Sequence, residues 1–341
     1  MVTKNFYEDS ITVEQLFLAW DTFKLGKKSR EDVRLFERYL ENNIFNLHYS
    51  LKSQSYTHDR YEDFFINDPK RRHIHKATVT DRLVHQVLYS ALYPIFDPSF
   101  IFDSYSCRND KGTHRAVKRA ERYLRKSSQN YTHETYILKC DIKKYFASVD
   151  KNILYALISR KIHDPKLLWL IYEVIHSFAS GLPLGNLTSQ LFANVYLHEL
   201  DLYIKHALGV KDYIRYCDDF IIIHPDKKYL QSLVKKIDSF LTDKLKLHLH
   251  PQKVFIRKFS WGIDFLGYIL FPHYILPRTK TKKRMIERLE KYAGWVIKRR
   301  CDFKSFNNSF QSYLGYLKHA HSYMLQQDLK SKYCLLGENL I

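Results

Sequence analysis

Two adjacent aspartates, Asp218 and Asp219, interrupt a run of β-branched and aromatic residues that reads YIRYCDDFIIIH over 213–224. Residues 213–217 and 220–224 are each one short strand long and rich in Ile and Tyr, which predicts a hairpin with Asp218-Asp219 at its reversal. Asp tolerates the left-handed backbone such a turn needs. Alone, an Asp-Asp pair is most simply a solvated turn. Between apolar strands, two carboxylates repel each other unless a cation sits with them, and hard oxygen ligands favour Mg²⁺. That arrangement calls for a third carboxylate. Asp141 ends the strand-like stretch 135–142 in TYILKCDIKKYFASVD, where its simpler role is to cap the next segment. Together, Asp141, Asp218 and Asp219 suit two Mg²⁺ ions, with Mn²⁺ as the substitute. One ion lowers the pKa of an attacking hydroxyl, and both brace a triphosphate and its leaving pyrophosphate. This is the chemistry of nucleotidyl transfer.

The flanking sequence supplies elements to position these acids. Thr12 and Gln15 have capping-box spacing ahead of Leu16, Phe17, Leu18 and Trp20, predicting a helix over 12–24, and a second is expected over 33–46. Residues 61–79 read as a hairpin carrying Lys70, Arg71, Arg72 and Lys76. Such a cluster is commonly a solvated face, but beside a metal site it forms a clamp for a triphosphate, with Lys70 and above all Arg72 as contacts. A helix is expected over 81–93, then a loop and basic helix where Arg108, Lys111 and Arg115 are candidates for template phosphates. Residues 153–178 read as mostly helical. The loop 181–190, GLPLGNLTSQ, places Leu184, Gly185, Ser189 and Gln190 where backbone and small polar groups can approach a nucleotide, before an apolar helix over 191–202. An amphipathic helix over 229–245, a short strand bringing back Lys253, and an apolar hairpin at 261–270 around Gly267 complete this part. From Thr279 the chain reads as helical, its Lys and Arg interleaved with Met285, Leu289, Tyr292 and Trp295, a composition suited to a nucleic-acid backbone.

The 341 residues are 45% hydrophobic, enough for a sizeable core in two or three subdomains, and exclude a disordered or fibrous chain. Fifty-five Lys and Arg against 36 Asp and Glu give a net charge of +19, which points to a polyanionic partner. No run reaches the length of a membrane span, and the N-terminus lacks a signal pattern, so a soluble intracellular protein is expected. Five cysteines without a CxxC pair read as reduced thiols. His73-x-His75 and His319-x-His321 lack a thiol or a spaced helical partner, so no zinc site is expected.

Taken in order, these motifs resemble the reverse transcriptases, and the likeness covers nearly the whole chain. Asp141 is similar to the family's first metal-binding aspartate, and Tyr216-Cys217-Asp218-Asp219 resembles its YxDD box. The resemblance implies an α+β right-hand polymerase fold: fingers over 1–135, a palm with an antiparallel sheet over 136–272, and a helical basic thumb over 273–341. It further implies Ile142 as a metal ligand beside the three aspartates and Phe146 as a steric gate against a ribose 2′-OH. Tyr216 would join the substrate site, Lys253 would donate a proton to pyrophosphate, and the FLGY hairpin would lie against the primer. Template RNA, cDNA or primer, and dNTPs are the implied partners, with no membrane.

Most relatives carry Gln-Gly-x-x-x-Ser-Pro where this chain has Leu184-Gly185-Asn186-Leu187-Thr188-Ser189-Gln190. That loop, with DKGTH at 110–114 and LTSQLFANVY at 187–196, is similar to the reverse transcriptases of diversity-generating retroelements in bacteria, archaea and their phages. The resemblance implies error-prone copying of a template-repeat RNA, adenine-directed mutagenic retrohoming, a small basic helical accessory protein forming an oligomeric ring, and a cytoplasmic location. A Gln amide can hold the incoming nucleotide in one geometry and Leu184 cannot, so Leu184 is expected to lower fidelity. Other readings are a reverse transcriptase of a phage-defence or intron-like system, and a non-catalytic RNA-binding scaffold.

Overall fold

The computed structural model describes residues 6–67 and 71–334. Lys70 lies outside the described residues.

Helices open the chain: α1 (Phe6–Ser10), α2 (Val13–Phe23), α3 (Glu31–Arg38) and α4 (Leu40–Lys52). Thr12 caps α2 by accepting from the Gln15 N–H, as the capping-box spacing requires. The single helix expected over 33–46 is instead two, broken at Tyr39 (φ −119°, ψ 35°), which lets α4 turn Ile44, Leu47 and Leu51 into the core. Strands β1 (Glu62–Ile66) and β2 (Arg72–Lys76) form the predicted hairpin, with Asp63 opposite His75 and Phe65 opposite His73. All five residues of β1 are exposed. Thr78 caps α5 (Val79–Phe96) through the Asp81 N–H.

Past α6 (Thr113–Ser127), strand β3 (Tyr136–Asp141) leads through the short α7 (Tyr145–Ser148) to α8 (Lys151–Ser159), α9 (Pro165–His176) and α10 (Leu187–Leu202). The helix expected to resume at 191 starts four residues earlier, so Ser189 is buried in its first turn while Gln190 is exposed. β4 (Tyr213–Tyr216) and β5 (Asp219–His224) form the acid hairpin, followed by α11 (Lys227–Leu245) and β6 (Phe255–Lys258). These strands make one antiparallel sheet in the order β4-β5-β3-β6. Leu138, Cys140, Phe220 and Ile222 on one face join the main core, while Ile137, Ile221 and Ile223 on the other pack against α6 and the next hairpin. Covered on both sides, β3 and β5 read as near-continuous apolar runs that end at the acids.

Strands β7 (Ile263–Phe265), β8 (Tyr268–Phe271) and β9 (Tyr274–Pro277) form a second antiparallel sheet. Its first turn, Leu266-Gly267, has positive φ at both positions (50° and 91°), the two-residue turn that matches strand twist. Because β9 pairs with β8, a boundary at 272/273 runs between two bonded strands. Helices α12 (Thr279–Ile297), α13 (Phe303–Leu317) and α14 (Tyr323–Tyr333) follow around a core of their own. Met285 and Leu289 belong to that core and not to a surface laid along nucleic acid; Tyr292 and Trp295 are half-buried and stack on each other.

Candidate active site

The register of the first sheet sets Asp141 opposite Asp219. The reversal falls one residue earlier than expected. Tyr216 pairs with Asp219, leaving Cys217-Asp218 as the two-residue turn, and Cys217 rather than an aspartate takes the positive φ (58°). Asp219 stays in the ladder because that register keeps Phe220 and Ile222 in the core; a slip of one would turn both to the opposite face.

The turn is anchored from below. Arg215, fully buried, makes a forked pair with Asp201 at the end of α10 (Nε–Oδ1 2.8 Å, Nη2–Oδ2 2.6 Å). Its remaining nitrogen, Nη1, donates to Asn194 Oδ1 at 3.1 Å and to the Cys217 carbonyl at 3.2 Å. Tyr213 also donates to Asp201 (2.7 Å). Sequence reasoning missed this group; its signal is an arginine inside a run otherwise buried as core. On the other strand, Ile142 N–H donates to the Asp218 carbonyl (3.3 Å), and its side chain is buried. The bonds that join this segment to the 248–250 stretch fall on either side of Ile142, at Asp141 and Lys143.

Two lysines face the acids. Lys253 Nζ lies 2.9 and 3.0 Å from the two Asp141 oxygens, from a turn ahead of β6 and not from a strand. Lys139 Nζ lies 3.2 Å from Asp219 Oδ2 and donates to the Asp264 carbonyl at 2.8 Å. Burial pushes the Asp218 carboxyl upward, and neighbouring Asp141 adds to it. Burial likewise raises Asp219 to about 6, reinforced by Asp141 and Asp218 and opposed by Lys139. Asp219 Oδ1 is buried with no hydrogen-bond partner among the described residues. A buried, unpartnered carboxylate oxygen beside two further carboxylates fits a hard divalent cation.

Around this centre, Phe146 is half-buried against the core and near Tyr145 (ring centroids 5.4 Å apart), whose hydroxyl donates to the Ala193 carbonyl. The 181–186 loop rests directly on it. Leu182 N–H donates to the Phe146 carbonyl at 2.7 Å, and a Cβ on Gly181 (φ +64°) would stand 2.2 Å from that oxygen, so only glycine fits. The other end of the loop meets the β1–β2 hairpin. His75 N–H donates to the Leu184 carbonyl (3.2 Å), and Gly185 packs on Ile74. Arg72 is exposed at the start of β2 with no ion-pair partner among the described residues. Tyr216 accepts from Thr113 Oγ1 (3.3 Å). The structure thus gathers Asp141, Asp218, Asp219 and Lys253, and joins Phe146, Leu184 and Gly185 to the Arg72 hairpin through the loop.

Arg108 is not available to a template: it pairs with Asp97 (2.6 Å) and bonds the carbonyls of Asp97, Ile101 and Ser104. Lys111 donates to the Phe102 carbonyl, while Arg115 is exposed. His321 accepts from the Ile275 N–H and His319 stacks on His114, so that histidine pair is structural.

A four-stranded antiparallel sheet with three carboxylates gathered at one hairpin, followed by a basic helical bundle, defines a right-hand polymerase fold. The chain belongs to the reverse transcriptase family: the family model described as reverse transcriptase (RNA-dependent DNA polymerase) matches residues 67–270. It is similar to the group II intron-encoded protein LtrA of Lactococcus lactis subsp. cremoris, 26% identical over 305 aligned positions covering 67% of this chain and 50% of that protein. It is also similar to protein YkfC of Escherichia coli K12, at 24% over 59% of this chain and 63% of that one. A third relative is an uncharacterized 91 kDa protein in the cob intron of Schizosaccharomyces pombe, at 28% over 48% and 21%. The chain spans about half the length of LtrA. Among the described residues no helix is long and apolar enough to cross a membrane.

Proposed function

We propose that the chain is an RNA-directed DNA polymerase that extends a primer on template RNA with dNTPs. The carrying observation is the buried Asp219 Oδ1, without a hydrogen-bond partner among the described residues, on a residue paired with Asp141 across the ladder and next to Asp218 in the chain. Asp141, Asp218 and Asp219, with the Ile142 carbonyl, would hold two Mg²⁺ ions, for which Mn²⁺ can substitute. Bound there, the ions supply charge neutralisation for nucleotidyl transfer and acidify the attacking hydroxyl. The chain's own groups do the rest. Lys253 and Lys139 balance the carboxylates, and Lys253, released from Asp141, stands ready to protonate pyrophosphate. Arg72, with Lys70, grips the triphosphate; Phe146 closes the space of a ribose 2′-OH; Tyr216, Gly185, Ser189 and Gln190 shape the nucleotide's surroundings. The β7–β8 hairpin seats the primer. Fingers fall within 1–135, the palm runs from 136 through β9 to Pro277, and the thumb begins with α12 at Thr279.

The finer reading is mutagenic: the enzyme of a diversity-generating retroelement, copying a template-repeat RNA with errors opposite adenine beside a small basic helical accessory protein, in the cytoplasm of a bacterial, archaeal or phage-infected cell. It is supported by the 184–190 sequence and by Leu184's position, its carbonyl tied to the fingers hairpin. A faithful group II intron-type enzyme is the second reading, favoured by the likeness to LtrA. Primer extension on RNA with Mg²⁺, sequencing the products of wild type and Asp218→Ala with and without the accessory protein, separates them. Extension lost in the variant with errors opposite adenine supports the mutagenic enzyme; accurate extension supports the intron-type one; RNA binding without extension overturns both.

A further inference from the structure

The fingers hairpin holds a second group of metal-ligating side chains, far from the aspartates in chemistry. Asp63 on β1 and His73 and His75 on β2 share one face, because Asp63 pairs directly with His75 and His73 lies two residues along the same strand. Their ligand atoms lie within 4.8 Å of one another. Asp63 Oδ1 is 2.5 Å from His75 Nδ1, and Oδ2 is 3.5 Å from His73 Nε2. The sequence hid this set because its third member arrives only through strand pairing, ten residues upstream of His73.

We propose that Asp63, His73 and His75 form a site for a borderline transition-metal ion of the Zn²⁺ class, with three protein ligands and one open position. Two imidazoles select such an ion over Mg²⁺, which prefers oxygen. The fold gives the site a purpose. A two-stranded hairpin is marginal by itself, and this one has no buried residue on β1, so a cross-strand metal bond supplies the staple that a core does not. The ligands are supported from both sides. Phe65 stacks on His73 at 4.6 Å and carries the Arg71 guanidinium over its ring at 4.2 Å, and Phe178 packs on His75 at 4.4 Å. Through the His75 N–H bond to Leu184, a stapled hairpin also fixes the 184–185 loop.

The test uses the full chain, stripped with a chelator and titrated with Co²⁺ in excess Mg²⁺, which keeps the aspartates occupied. The expected result is one equivalent of Co²⁺ with the intense visible absorption of a four-coordinate ion, displaced by Zn²⁺. His73→Ala and Asp63→Asn, both at exposed positions, should each weaken binding by more than about tenfold, with unchanged circular dichroism. Zn²⁺ should also slow tryptic cleavage at Arg71 and Arg72 in the wild type and not in His73→Ala. Absence of the four-coordinate band in the wild type, or its survival in both variants, overturns the proposal.

Discussion

Asp219 carries opposing demands. Its proton is held more tightly in the folded chain than in the unfolded one, so between roughly pH 4 and 6 stability falls as pH rises, and above about 6 the full penalty is present. Asp219→Asn removes that penalty; without divalent metal at pH 7 the variant should be more stable by roughly 1–2 kcal/mol, after allowance for the lost Lys139 pair. It should also lose both extension and the rise in melting temperature that Mg²⁺ gives the wild type. For the wild type, the apparent Mg²⁺ affinity should drop as pH falls through about 6, measured by melting at graded Mg²⁺; a pH-independent affinity would contradict the assignment. Leu184→Gln should restore a polar hold on the nucleotide and lower misincorporation opposite template adenine, by about tenfold for each 1.4 kcal/mol regained. An unchanged error spectrum would sink that idea. The gathering of the acids was legible in the sequence only in combination: each has a simpler role alone, as turn or cap, but three carboxylates at the ends of apolar strands point to one cluster, and the register brings Asp141 opposite Asp219. Which residue takes the left-handed turn position was not: Cys217 does so because the pairing register, a tertiary fact, outweighs Asp's local preference.

At the scale of the hairpin, Arg215 and Asp201 matter more than their distance from the chemistry implies. Arg215→Met leaves a buried carboxylate without its fork and frees the Cys217 carbonyl. We expect roughly 3–5 kcal/mol of destabilisation in urea unfolding and, in protein that remains folded, a fall in kcat with little change in KM for dNTP. An equal loss with Asp201 and Arg215 exchanged for a matched apolar pair would show that only the bond to the turn counts. The β1–β2, β4–β5 and β7–β8 hairpins were legible from strand composition and turn residues. The break at Tyr39 and the early start of α10 were not: apolar spacing runs on through Tyr39, and the polar Thr188-Ser189-Gln190 read as loop although they form the first turn of a helix that packs on α5.

Across the whole molecule, the +19 charge lies partly on α12, where Lys280, Lys282 and Lys291 are exposed. Replacing these three by Gln should weaken primer–template binding and flatten its salt dependence by about one unit of log–log slope for each phosphate no longer neutralised. An unchanged slope would place the nucleic acid elsewhere. Charge excess made a polyanionic partner readable from composition alone, but not which lysines face it: Met285 and Leu289, read as part of the same surface, hold the bundle together instead. One cation joins the two sheets. Lys139 touches Asp219 with one hydrogen and the Asp264 carbonyl of the β7–β8 hairpin with another. Any occupant that shifts Asp264 lets that ammonium swing further toward Asp219 or away from it. On the function proposed above, a primer seated on the β7–β8 hairpin would therefore reset the proton affinity of Asp219 through this one lysine, making the waiting chain electrostatically different from the loaded one.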